Sequence, residues 1–126
     1  MTGATTRQDM QQALIEGIAL PASEIVTAMG LDVPITHISV DGGVSRSRYL
    51  CQFLADTTGC TVIIPSVDEL TAYGAAQLAA CAPGETLRTP QPAEIVIPNA
   101  CDGPSRLVRF SRAVDRAKGW HLGPVC

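Results

Sequence analysis

Between Thr36 and Pro65 the chain carries a β-branched run, "THISV", then two adjacent glycines, Gly42 and Gly43, then an amphipathic stretch from about Ser47 to Thr58, then a second β-branched run, Thr61 to Ile64. Few folds accept that order. Two short strands joined through one helix form a crossover connection, and such a connection lays its strands parallel in one sheet. Pro34 and the glycines bound the first run, and Pro65 ends the second. Leu50, Phe53 and Leu54 share one helical face, with Gly59 as the stop. The expectation is an α/β chain with a short parallel strand pair and helices packed on it.

Other segments fall around this unit. Met10, Leu14, Ile18, Ile25 and Met29 recur at helical spacing, widened by Ile15, Ala19, Ala22 and Val26, which predicts a helix over about 8–29 that buries this face. Pro21 sits inside it and should kink or split it, and Gly30 should end it. A third helix is expected from Asp68-Glu69 through "LTAYGAAQLAAC", with the two acids at the positive end of its dipole and a small-residue interior suited to close packing. From Ala82 to Pro104 the chain is rich in proline and glycine, with Glu94–Ile97 as a short extended piece. A closing helix over about 105–118 carries Arg106, Arg109, Arg112, Arg116 and Lys118.

With 126 residues, 46% of them hydrophobic, the chain is long enough for one compact core. Nine basic residues against 12 acidic, a net charge of −3, leave no electrostatic footprint for nucleic acid or an anionic membrane surface. The five cysteines, Cys51, Cys60, Cys81, Cys101 and Cys126, form no CxxC pair, and neither they nor His37 and His121 stand at metal-ligand spacing. A reduced, cytoplasmic protein without a metal site of its own is expected, with His37 a strand residue and His121 a tail residue.

The double glycine bears on function. Without Cβ atoms, Gly42 and Gly43 can take positive φ and admit a flat ligand against the backbone, and the following helix points its free amides at the same place. A nucleoside-like or phosphorylated ligand fits that chemistry, while a bare tight turn needs the same glycines. The dinucleotide pattern G-x-G-x-x-G and the phosphate-loop pattern G-x-x-x-x-G-K-[ST] are both absent.

The run "VDGGVSRSRYLCQFLADTTGCTVIIPSVDELTAYGAAQLAA" resembles the C-terminal domain of the FGGY carbohydrate kinases, on the glycerol kinase side of that family. The likeness rests on Asp41-Gly42-Gly43 followed by Glu69-Leu70-Thr71-Ala72-Tyr73-Gly74-Ala75-Ala76. It extends upstream through "GATTRQDMQQALIEGIALPASEIVTAM" and downstream to "RFSRAVDRAKGW", which is similar to a closing helix ending at a tryptophan, here Trp120.

The resemblance implies a partial ribonuclease H-like lobe of the actin- and hexokinase-type ATPase group, in a transferase that moves the γ-phosphate of ATP, with Mg2+, to a sugar or polyol hydroxyl. It implies that Gly42, Gly43 and Val44 pass along adenine and ribose, and that Ser47 reaches a polar edge of the nucleoside. Ala72, Gly74 and Ala75 would line the interlobe hinge. Ser47 stands where glycerol kinases usually carry Asn, Leu70 where Thr is usual and Tyr73 where Leu is usual, so adenine selectivity and the branch within the family are open at these positions.

No catalytic aspartate, magnesium site or second phosphate loop of the family is recognisable, and Asp41 matches no catalytic position. Residues 1–126 are then one incomplete C-terminal lobe that lacks its opening antiparallel strands and the N-terminal lobe, and supplies two sheet strands. Such a chain is expected to be inactive alone and to complete its sheet by homo-oligomerisation or with a second polypeptide. A different class remains in competition: a non-catalytic, kinase-like module that binds a protein through the basic face of Arg106, Arg109, Arg112 and Arg116.

Overall fold

The computed structural model describes residues 3–81, 86–99 and 101–118. Helix α1 (Arg7–Met29) is followed by strand β1 (His37–Ser39), a 3-10 turn (Gly43–Arg46), helix α2 (Arg48–Thr58) and strand β2 (Thr61–Pro65). Helix α3 (Leu70–Ala80), strand β3 (Pro92–Val96) and helix α4 (Gly103–Ala117) complete the order. Trp120, His121 and Cys126 lie outside the described residues.

The crossover is present as its residues predict. β1 and β2 are parallel, with His37, Ile38 and Ser39 opposite Thr61, Val62 and Ile63. Ser47 caps α2 by accepting from the Leu50 amide, and Gly59 ends it in the left-handed conformation at φ 71°. Leu50, Phe53 and Leu54 are buried together with Cys51, Ala55, Val62, Val96 and Ala19. Each large apolar side chain in this set contributes roughly 2 kcal/mol by leaving water. The core is therefore α2 against β2, closed by one turn of α1.

The sheet has three strands, not two. The extended piece expected at Glu94–Ile97 is β3, antiparallel to β2, with Val96 opposite Val62 and Ile95 opposite Ile63. Central β2 thereby has partners on both sides, in the order β1-β2-β3. The register slips between Ile64 and Pro65, where Pro65 has no amide to give the ladder, and the Ser66 amide donates to the Gln91 carbonyl at 2.9 Å.

Helix α1 corrects two expectations. Its secondary structure runs unbroken past Pro21, opened by a capping box in which Thr6 and Asp9 satisfy each other's amides. It buries Ala19 and Ser23 and packs Ile15 and Ala22 on the core, all but Ser23 from the flank of the predicted face, while the main stripe is exposed, Leu14 at 70% and Met29 at 63%. A polar contact sets this orientation: the Ser23 and Thr57 hydroxyls meet at 2.7 Å in the buried seam between α1 and α2.

Helix α3 buries none of its residues, so the close packing its small side chains allow is not realised among the described elements. Asp68 and Glu69 precede the helix, and Glu69 makes no side-chain cap. The basic face of α4 is also smaller than expected. Arg109, Arg112 and Arg116 are exposed, but Arg106 turns inward over the Phe53 ring, 5.7 Å from its centroid. Its guanidinium donates to Glu16 at 2.6 Å and to Asp102 at 3.0 Å.

Glu16 is the hub of that clamp, accepting also from the Tyr49 hydroxyl at 2.6 Å and the Gln12 amide at 2.7 Å. Burial alone would raise its carboxyl, but the Tyr49, Gln12 and Arg106 donors outweigh burial and hold it below the usual glutamate value. A depressed folded-state pKa stabilises the fold above the unfolded pKa, near 4.3, and that contribution is lost as pH falls toward the folded value. The urea midpoint is therefore expected to drop between about pH 5 and pH 3, and to drop less in a Glu16→Gln chain. Equal slopes in the two proteins would show that Glu16 is not part of the acid response.

Candidate nucleoside-binding turn

The turn at the carboxyl end of β1 is built by local hydrogen bonds. Gly42 holds φ 81° and ψ −178°, a combination that side chains resist. Its carbonyl accepts from the Ser45 amide at 3.1 Å and the Ser45 hydroxyl at 2.7 Å. The Ser47 amide donates to the Val44 carbonyl at 3.0 Å, and the chain passes from the 3-10 turn straight into α2. The serine three residues after Gly42 is the sequence signal for this closure, and sequence reasoning passed over it.

Gly43 is different. Its φ lies outside the left-handed range, and a Cβ added there would meet nothing within 4 Å. The fold itself does not require glycine at that position. What the missing side chain leaves is open space beside an exposed stretch of backbone.

Two concavities meet at the turn. One, of about 230 Å³, lies between the turn and the β2–α3 connection and is lined by Asp41, Gly42, Ser45, Arg46, Ser66 and Asp68 among others. Arg46 and Asp68 face each other across it at 3.6 Å, both largely in water, a pairing worth well under 1 kcal/mol. The other, of about 480 Å³, is apolar and runs between α1 and β1, with Ile18, Val26, Ile38, Val40, Val44 and Leu54 in its walls. Val44 thus belongs to the apolar side of the turn and Gly42 to the polar side.

The expected site residues fall in two groups. Gly42, Gly43, Val44 and Ser47 come together in one continuous segment. Ser47 already accepts from the Leu50 amide at 3.3 Å, which leaves its O–H as the donor for anything else. Ala72, Gly74 and Ala75 lie on α3, Ala72 and Ala75 exposed and Gly74 half-buried. A hydrogen bond links the turn to the start of α3: the Asp41 carboxylate accepts from the Leu70 amide at 3.2 Å. His37 is a strand residue, as expected, its ring nitrogen 2.8 Å from the Thr36 hydroxyl.

No disulfide joins the four described cysteines, and no described helix is long and apolar enough to cross a membrane.

Comparison with known proteins agrees with this architecture. The glycerol kinase of Bordetella parapertussis is 34% identical over 137 residues, an alignment that covers 95% of this chain and 26% of that protein. The glycerol kinase of Shewanella frigidimarina is 45% identical over 86 residues, covering 67% of this chain and 17% of its own. The chain thus spans about a quarter of the length of such relatives. Among solved structures, the xylulose kinase of Rhodospirillum rubrum superposes with a TM-score of 0.71 at 26% identity over 93% of this chain and 25% of its own. Plasmodium falciparum glycerol kinase with ADP gives 0.73 at 24% identity over 94% and 26%. Residues 1–82, which hold the whole crossover, the turn and α3, match the sequence pattern of the C-terminal domain of the FGGY carbohydrate kinases, and the chain belongs to that family.

Proposed function

We propose that this chain supplies the adenosine side of the nucleotide pocket in an ATP-dependent carbohydrate or polyol kinase of the glycerol kinase kind, acting in the cytoplasm. Gly42 and Gly43 present bare backbone to the nucleoside, Val44 an apolar contact, and Ser47 its hydroxyl proton. The observation that carries this reading is the open face at Gly43, a glycine that the fold does not need. The polar cleft that Gly42 lines, near 230 Å³, is smaller than the 300–1,000 Å³ usual for a ligand pocket, as half of a shared site would be.

Transfer of the γ-phosphate to a sugar or polyol hydroxyl then belongs to an enzyme in which a second lobe completes the pocket. Among the described residues no three His, Cys, Asp or Glu side chains converge as metal ligands, so the reading assigns no Mg2+ ligand to this chain. Residues 1–126 serve as one incomplete C-terminal lobe. In support, the groove between α1 and β1 leaves apolar side chains uncovered beside the β1 edge, which further sheet strands from a second polypeptide or a second copy would cover. On this reading Ala72, Gly74 and Ala75 face the other lobe, where small side chains permit sliding.

Titration of the purified chain with ADP, followed by backbone amide shifts, tests the reading. Gly42, Gly43 and Val44 should shift together and saturate with a dissociation constant on the order of 1 mM, about −4 kcal/mol for a half-site. No shift at these amides in 10-fold higher nucleotide would remove the assignment.

A further inference from the structure

We infer that Asp41 is a positioning residue that ties the glycine turn to the start of α3, so that a displacement of the turn is passed to the helix. The first amides of a helix have no partner inside it, and they are ordinarily capped by the residue just before. Here Glu69 does not cap. The Leu70 amide is met instead by a carboxylate 29 residues upstream, at 3.2 Å, at the end of β1. The charge also suits the positive end of the helix dipole.

The tie has leverage because α3 packs lightly on the other described elements. None of its residues is buried. Apart from Asp41, a side-chain contact is made at its far half, where the Gln77 amide donates to the Arg88 carbonyl at 2.7 Å. Asp41 is also adjacent to Gly42, whose φ of 81° fixes the direction in which the chain leaves β1. A change in that dihedral alters how the Gly43–Arg46 turn sits against the Asp41 carboxylate that holds the Leu70 amide. The use of this link in lobe closure rests on the nucleoside reading above; the link itself does not.

Amide hydrogen exchange on the purified chain tests it without nucleotide. Asp41→Ala should speed exchange at Leu70 about fivefold, a capping bond of ~1 kcal/mol expressed as an equilibrium ratio, while α2 amides stay at parental rates and certify the fold. Asp41→Asn keeps an acceptor and should restore most of the protection. Gly42→Ala, which must shift the turn, should alter the amide shifts of residues 70–73 in the parent and leave them unmoved in the Asp41→Ala background, although its local effect at residues 43–45 persists in both.

Parental exchange at Leu70 in Asp41→Ala, or equal responses of α3 to Gly42→Ala with and without Asp41, would overturn the proposal. Absence of ADP-induced shifts at Gly42–Val44 would strike the nucleoside reading and leave these arms intact.

Discussion

A Gly103→Ala chain is expected to unfold roughly 10 °C or more below the parent, the effect of overpacking that costs about 3 kcal/mol. Gly103 opens α4 and is buried against the last turns of α2. A Cβ there would sit 2.2 Å from the Asp56 carbonyl oxygen, 2.5 Å from its carbon and 2.9 Å from the Thr57 nitrogen. These are backbone atoms of the last turn of α2, not the ends of flexible side chains, and cannot rotate away. Retreat of α4 is blocked as well, because the Asp56 carboxylate accepts from the Asn99 amide at 2.7 Å and Gln52 donates to the Ile97 carbonyl at 3.0 Å. Gly17→Ala is the control: its Cβ meets nothing within 4 Å in mid-helix, and a neutral or slightly higher midpoint is expected. Similar melting of the two variants in a thermal scan would refute the close approach of α4 to α2.

Gly43→Val should do the reverse, leaving stability within about 0.5 kcal/mol of the parent and weakening ADP binding at least tenfold. The added Cβ enters open space and the backbone there is not in the left-handed range, so little strain is expected. A nucleoside lying on that backbone would be displaced by the full width of two methyl groups. Gly42→Ala separates the two roles of the glycine pair. At φ 81° it should lose roughly 1–2 kcal/mol of stability even with no ligand in solution. If Gly43→Val binds ADP as the parent does, the nucleoside does not pass over this face.

The crossover could be read from residues because each of its signals is local: β-branched runs, a three-sided apolar face on α2, and a glycine at each change of direction. The orientation of α1 could be read only in part. Its predicted face includes Ile15, Ala19 and Ala22, which meet the core, but the main stripe does not, because the helix is turned toward Ser23, whose hydroxyl finds Thr57 across 34 residues of sequence. Arg106 misled in the same manner. On a helical wheel it extends a basic face, and only the tertiary placement of Glu16, Asp102 and the Phe53 ring turns it inward. Strand β3 was half visible at Glu94–Ile97, but a strand opened by Pro92 on a sheet edge carries too weak a local signature to be counted before its partner is known. At the candidate turn, the glycines and the Ser47 cap stand in one local run of sequence, whereas the Asp41–Leu70 contact was not legible, since no periodicity links residues so far apart.

The two borders of the sheet are unequally guarded. β3 begins with Pro92 and carries Glu94, both of which discourage a further strand, whereas β1 exposes only His37, Ile38 and Ser39. In β1 the Thr36 carbonyl and the Val40 amide are turned toward β2, so by the strand's two-residue period the main-chain groups of His37 and Ser39 point the other way. A further strand is expected to join this sheet beside β1, since Pro92 and Glu94 disfavour one beside β3.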